Sequence, residues 1–189
     1  MDTDRKSGNG SWRSRRHLRL AVWGAAACLM ILPLLATLVG NEVNWGAMDF
    51  MVFGALLVCG GCIYELASIS TTDRAFRCAV GVGVAAAFLL VWMNLAVGII
   101  GTEGNPANLM FGGVLIVGMV GVMVARLRPR GMARALCATA FVQVVVAVTA
   151  LVLNPNPAES EPVEILALSG FFTSLWLLSA WLFRRAGTR

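Results

Sequence analysis

Four groups of residues in this chain have types that could do chemistry: the pair Cys59-Gly-Gly-Cys62, the carboxylate of Glu65 beside Tyr64, the amides of Asn94 and Gln143, and the acids Glu42, Asp49, Glu103 and Glu164. A CxxC pair can be a thiol redox couple or half of a metal site. No second CxxC follows, and the single histidine, His17, stands in the basic N-terminal segment, so a metal would lack ligands. Cys and Gly are also the small residues that let two helices approach closely, and packing explains this pair with fewer requirements. Glu65 lies inside an apolar stretch, where a carboxylate is costly and marks function by default. It is also about one turn from the end of that stretch, within reach of an interfacial pairing with Arg74 or Arg77. Asn94 and Gln143 can join helices by hydrogen bonds worth roughly 0.6–2 kcal/mol. Their functional reading is a polar path shared with Thr37, Thr149 and Ser169.

The acids suit a hard cation, since carboxylates are its preferred ligands. However, they are spread over three connections with no D-x-D spacing, and a carboxylate at the start of a helix has a local task. It caps free N–H groups and faces the positive end of the helix dipole.

The elements that must carry these residues follow from composition. The chain has 189 residues, of which 58% are hydrophobic and only 13% charged, with a mean hydropathy of +0.77. Soluble domains average roughly 25% charged residues, and a chain of this size cannot hide so much apolar surface from water. Six apolar stretches are legible, at about 20–40, 47–69, 78–101, 107–125, 132–153 and 163–183. Each is long enough to cross a ~30 Å hydrocarbon core as a helix. Lipid offers no partners to the backbone, so these runs must be helices, and continuous strings such as "FVQVVVAVTALVL" lack the alternation of a barrel strand. The expected fold is an all-α polytopic bundle of six helices, with a basic tail at 1–19 and a basic end at 184–189.

The connections divide cleanly by charge. Met1–Arg19, "STTDRAFR", "ARLRPRGMAR" and "RRAGTR" hold 6, 2, 4 and 3 of the 15 Lys and Arg residues, which is all of them. The alternate connections hold six of the ten acids and no basic residue. By the positive-inside rule both termini are expected in the cytoplasm. The net charge of +5 reflects that orientation, and without an aromatic-interleaved module it does not indicate nucleic acid. The basic tail and first stretch have the layout of a signal peptide. The apolar run exceeds the usual ~7–15 residues, and "LLATLVGNE" lacks a small-residue cleavage site, so a retained first helix kinked at Pro33 is expected.

The six helices read as three similarly oriented hairpins. Arg19, Arg77 and Arg134 open them at spacings of 58 and 57, and Asp49, Asn108 and Glu164 start the descending helices at spacings of 59 and 56. "EPVE" puts Pro162 at a first helical position. Even loop lengths alone also produce such periodicity, so the repeat is a pattern to test. Trp23, Trp45 and Trp181 read as interfacial anchors. Gly81/Ala85, Gly83/Ala87 and the glycines 112, 113, 118 and 121 read as close-packing faces.

Three strings, "NEVNWGAMDFMVFGALLVCGGCIYELAS", "NLAVGIIGTEGNPANLM" and "ARLRPRGMARAL", together resemble a family of small bacterial inner-membrane proteins with no assigned activity. The resemblance covers most of the chain from the first helix to the fifth. It implies a bacterial plasma-membrane helical bundle and brings no ligand or catalytic residue.

No cofactor is expected: a haem would lack His ligands, and no glycine loop precedes a helix in a phosphate-cradling arrangement. Besides the lipid bilayer, the expected partner is another membrane protein or a second copy, met through small-residue faces. Two functional readings stand: a non-enzymatic accessory or interaction module, and a small channel or transporter for a cation or small neutral solute. An enzyme would need convergent reactive groups that the sequence does not assemble. A hydrated path from the acids to Glu65 would favour transport, and a dry, packed centre would favour the module.

Overall fold

The structure is a computed structural model and describes residues 5–39, 45–71, 73–101, 104–153 and 161–188. It is all-α: α1 Arg5–Val39, α2 Ala47–Ile69, α3 Arg74–Ala96, a short 3-10 turn Pro106–Leu109 leading into α4 Met110–Ala125, α5 Pro129–Leu153 and α6 Pro162–Ala186. Six segments within these are long and apolar enough to cross a membrane. The chain divides into two compact units, Met1–Glu65 and Leu66–Arg189.

The first unit is an antiparallel pair. Met30 faces Gly54 and Trp23 faces Gly61, each at van der Waals distance from where a Cβ would stand, and Arg19 reaches Glu65. These three contacts keep one register along both helices. α1 begins at Arg5, well inside the expected basic tail, and runs on through Gly8 and Gly10. Pro33 sits within α1, and the hydroxyl of Thr37 donates to its carbonyl at 2.8 Å.

The second unit is built on α5 and α6. α5 packs along both α4 and α6, α6 packs along α3, and α3 touches α4 only slightly. The middle hairpin is therefore consecutive in the chain but is not a packed pair. The buried stripes repeat at alternating steps of four and three: Leu136, Thr139, Gln143, Val146, Ala150 on α5, and Ile165, Ser169, Phe172, Trp176, Ser179, Phe183 on α6. That step keeps residues on one face of a helix. Large apolar side chains elsewhere on these helices, such as Phe141, Val148, Leu166 and Phe171, are exposed, as lipid-facing positions require.

Small residues set the approach of the helices, though not all of those expected. A Cβ at Gly121 would come to 2.7 Å from the Cβ of Ala135, and one at Gly118 to 3.4 Å from the hydroxyl of Thr139. At Gly83 it would come to 3.2 Å from the hydroxyl of Ser179. At Gly112 and Gly113 it would meet nothing within 4 Å. These two flank the buried stripe of Phe111 and Val114 and so do no close packing.

α3 ends earlier than its hydropathy suggests, at Ala96 and not at position 101. Gly98 takes φ 80° and Gly101 φ 68°, a region costly for residues with a Cβ. The N–H groups of Val97 and Gly98 both donate to the Met93 carbonyl. Ile99 and Ile100 stay buried as part of a turn. At the other end of α4 the chain reverses through Arg126 and Leu127, both at positive φ, and Pro129 opens α5 where a missing N–H is harmless.

Candidate functional site

Glu65 comes near the end of α2, and the antiparallel pairing brings it to the start of the apolar part of α1. Its carboxylate is held by the guanidinium of Arg19, and Trp23 Nε1 lies 3.4 Å from its other oxygen. The expected partners, Arg74 and Arg77, are near in sequence; within its own two-helix unit the carboxylate is met by a residue 46 positions away. Helix pairing, which sequence distance does not report, decides the partner. Arg19 is 66% exposed and Glu65 20%, and both stand at the basic ends of their apolar stretches, which puts the pair toward the interface. Glu65→Gln should cost about 0–1 kcal/mol of stability, the range for exposed ion pairs. Thermal unfolding in micelles beside the wild type measures it, and a loss several times larger would show a desolvated pair.

Tyr64 precedes Glu65 at intermediate burial. Cys59 and Cys62 are both exposed and unbonded. The close contact expected of this segment is instead made by Gly61, against the ring of Trp23. A cysteine at i and i+3 shares one face of the helix, and here that face is not the one turned to α1.

The polar residues of the second unit separate into two sets. Asn108 is the centre of the first. Its Oδ1 accepts from the N–H groups of Ile99 and Ile100 at 3.0 and 2.9 Å, and its Nδ2 donates to the Ile100 carbonyl. Asn94 Nδ2 donates to the Asn108 carbonyl at 2.9 Å. Asn108 was expected to cap its own helix. That task falls to Asn105, whose side chain accepts from the Ala107 N–H, while Asn108 ties the end of α3 to the start of α4. Asn94 Nδ2 is accordingly a clamp on this turn, while its Oδ1 is buried without a hydrogen-bond partner.

Gln143 is the second. It is fully buried, and neither amide atom has a hydrogen-bond partner in the protein. Of the other groups expected beside it, Thr37 and Thr149 bond backward within their own helices, and only Ser169 lies on the stripe facing the same core.

Of the acids, Asp49 accepts from the Gly46 N–H at 2.8 Å, as a first-turn capping carboxylate should. Glu164 stands in the first turn of α6, after Pro162 at its first position. Glu42 and Glu103 lie outside the described residues. Among the described residues no group of three or more His, Cys, Asp or Glu gathers as a metal site would require. At the basic end of α6 the Arg185 guanidinium lies 3.6 Å over the ring of Trp181, an anchor of the kind expected there.

Six apolar helices with lipid-type outer faces define a multi-pass integral membrane protein. Set against protein families, curated proteins and solved structures, the chain matches none.

Proposed function

We propose that this chain is a non-enzymatic module of a bacterial plasma membrane, with both termini in the cytoplasm, acting by association with another membrane protein or a second copy of itself. The observation that carries the reading is the state of Glu65. The carboxylate of Glu65, about one turn inside its apolar stretch, is matched by Arg19 and Trp23 near the basic end of its own two-helix unit. It is thereby removed from the role of a cation ligand along a path. The bacterial setting rests on the three family-like strings, and the orientation on the placement of all 15 Lys and Arg residues. The alternative reading, a small channel or transporter, retains one supporting observation in the unpartnered amide of Gln143. That group favours a neutral solute over a cation.

The experiment is purified protein in liposomes, wild type beside Glu65→Gln, assayed for cation leak at several pH values. Both should match protein-free liposomes. A flux that disappears with Glu65→Gln would overturn the module reading. Orientation has its own check: reporters fused after Thr72, Arg130 and Arg189 should be cytoplasmic, and those after Asn105 and Pro157 periplasmic. A periplasmic C-terminal reporter would reverse it.

A further inference from the structure

Five side-chain atoms on α5 and α6 are buried and have no hydrogen-bond partner in the protein: Nε2 and Oε1 of Gln143, the hydroxyls of Ser169 and Thr173, and Nε1 of Trp176. Gln143 is 0% exposed, Ser169 3% and Trp176 4%. Such atoms are costly wherever water is excluded, and most of all within a bilayer.

The helix register puts them together. Gly187 packs against Pro129 at the basic end, and fourteen residues from that contact along each antiparallel helix stand Gln143 and Thr173. Ser169 and Trp176 are within about one turn, roughly 5–6 Å, of that height. Gln143, Ser169 and Trp176 all lie on the stripes turned to the core. Counting from the Gly118–Thr139 and Gly83–Ser179 contacts, the core positions nearest this height on α4 and α3 are Val114 and Leu90, both fully buried and apolar. These facing core positions offer no side-chain partner, and about one turn farther along α3 the buried Oδ1 of Asn94 also stands without one.

The free hydroxyls are themselves unusual. A Ser or Thr within a helix commonly donates to the carbonyl four residues back. Thr139, Thr149 and Ser174 do so, and Ser179 donates across to the Ala79 carbonyl on α3. Among the described Ser and Thr residues of α5 and α6, only Ser169 and Thr173, at the height of Gln143, leave buried hydroxyls unbonded.

We propose that this point between α5 and α6 is a binding site for a small uncharged molecule that both donates and accepts hydrogen bonds, of the water, urea and polyol class. Gln143 offers two N–H donors and a carbonyl acceptor, Trp176 one donor, and each hydroxyl serves in either sense. The charged groups of α3–α6 stand at the helix ends, Arg74, Arg77, Arg130, Arg134, Arg184 and Arg185 at one and Glu164 at the other. An ionic ligand would thus be buried without a countercharge. The proposal goes beyond the module reading and does not depend on it.

The test is radiolytic hydroxyl-radical labelling of the full chain in nanodiscs prepared in ¹⁸O-water, read residue by residue by mass spectrometry. A water held at the site supplies hydroxyl radical in place and oxidises Trp176 in spite of its burial. That labelling should be lost in Gln143→Met, which keeps the length of the side chain, and reduced in Ser169→Ala, which barely changes packing. Trp181, 46% exposed, is the internal reference. If added urea or glycerol suppresses ¹⁸O uptake at Trp176 but not at Trp181, the organic solute displaces that water and the site takes solutes of its class; if uptake persists, the site takes water alone. Absence of Trp176 labelling in the wild type, or labelling indifferent to both substitutions, would overturn the proposal.

Discussion

Asn108→Ala should lower the unfolding free energy of the α3–α6 unit by about 2–5 kcal/mol, because each buried donor left without a partner costs roughly 1–3 kcal/mol. Two such donors depend on this one side chain: the N–H groups of Ile99 and Ile100, at residues 3% and 0% exposed. The substitution also releases the Ile100 carbonyl from Asn108 Nδ2. Two comparisons isolate the effect. Asn94→Ala removes a single bond, made to the Asn108 backbone and not to its side chain, and should cost about 0.5–1.5 kcal/mol. Asn105→Ala removes one cap bond, for about 0.5–2 kcal/mol. Equilibrium unfolding in mixed micelles, with all three variants beside the wild type, gives the order. If Asn108→Ala cost no more than Asn94→Ala, the side chain would not be the tie between α3 and α4.

The second large effect is at Gly121, where an added Cβ would stand 2.7 Å from the Ala135 Cβ and 3.3 Å from its Cα. The obstacle includes backbone, so α4 and α5 must separate. Overpacking of this kind costs about 1–3 kcal/mol, and Gly121→Val should cost more than Gly121→Ala. Gly112→Ala and Gly113→Ala meet nothing within 4 Å and should instead be neutral or stabilise by up to about 1 kcal/mol, through the reduced freedom of the unfolded chain. The same unfolding assay therefore tests opposite signs within one helix. A stable Gly121→Val would mean that α4 and α5 do not meet at Ala135.

Much of this was legible in the residues themselves. Length, apolar content and the scarcity of charge in the spans dictate six helices, since lipid admits no other local solution for the backbone. α2 lies where its apolar run lies, Asp49 caps its first turn, and Pro162 opens α6, because each of these is a local matter of hydropathy or of free N–H groups. The early end of α3 had a local signal too: Gly98 and Gly101 bracket Ile99 and Ile100. Hydropathy alone carries the span past it, because the two isoleucines are apolar whether helical or not.

What only the tertiary structure decided concerns pairing between helices. Glu65 meets Arg19, 46 residues away, and Gly61, not Cys59 or Cys62, makes the contact with α1. Gly118 and Gly121 are packed while Gly112 and Gly113 are free, and α3 lies along α6 more than along its sequence neighbour α4. Inside a membrane, hydrophobicity drives every span into lipid about equally and says little about which face meets which neighbour. That choice rests on van der Waals fit and on a few hydrogen bonds between residues far apart in the chain. So Asn94 and Gln143, similar amides in similar apolar runs, part company: Asn94 finds Asn108 across a turn, whereas α6 brings Gln143 the unbonded hydroxyls of Ser169 and Thr173.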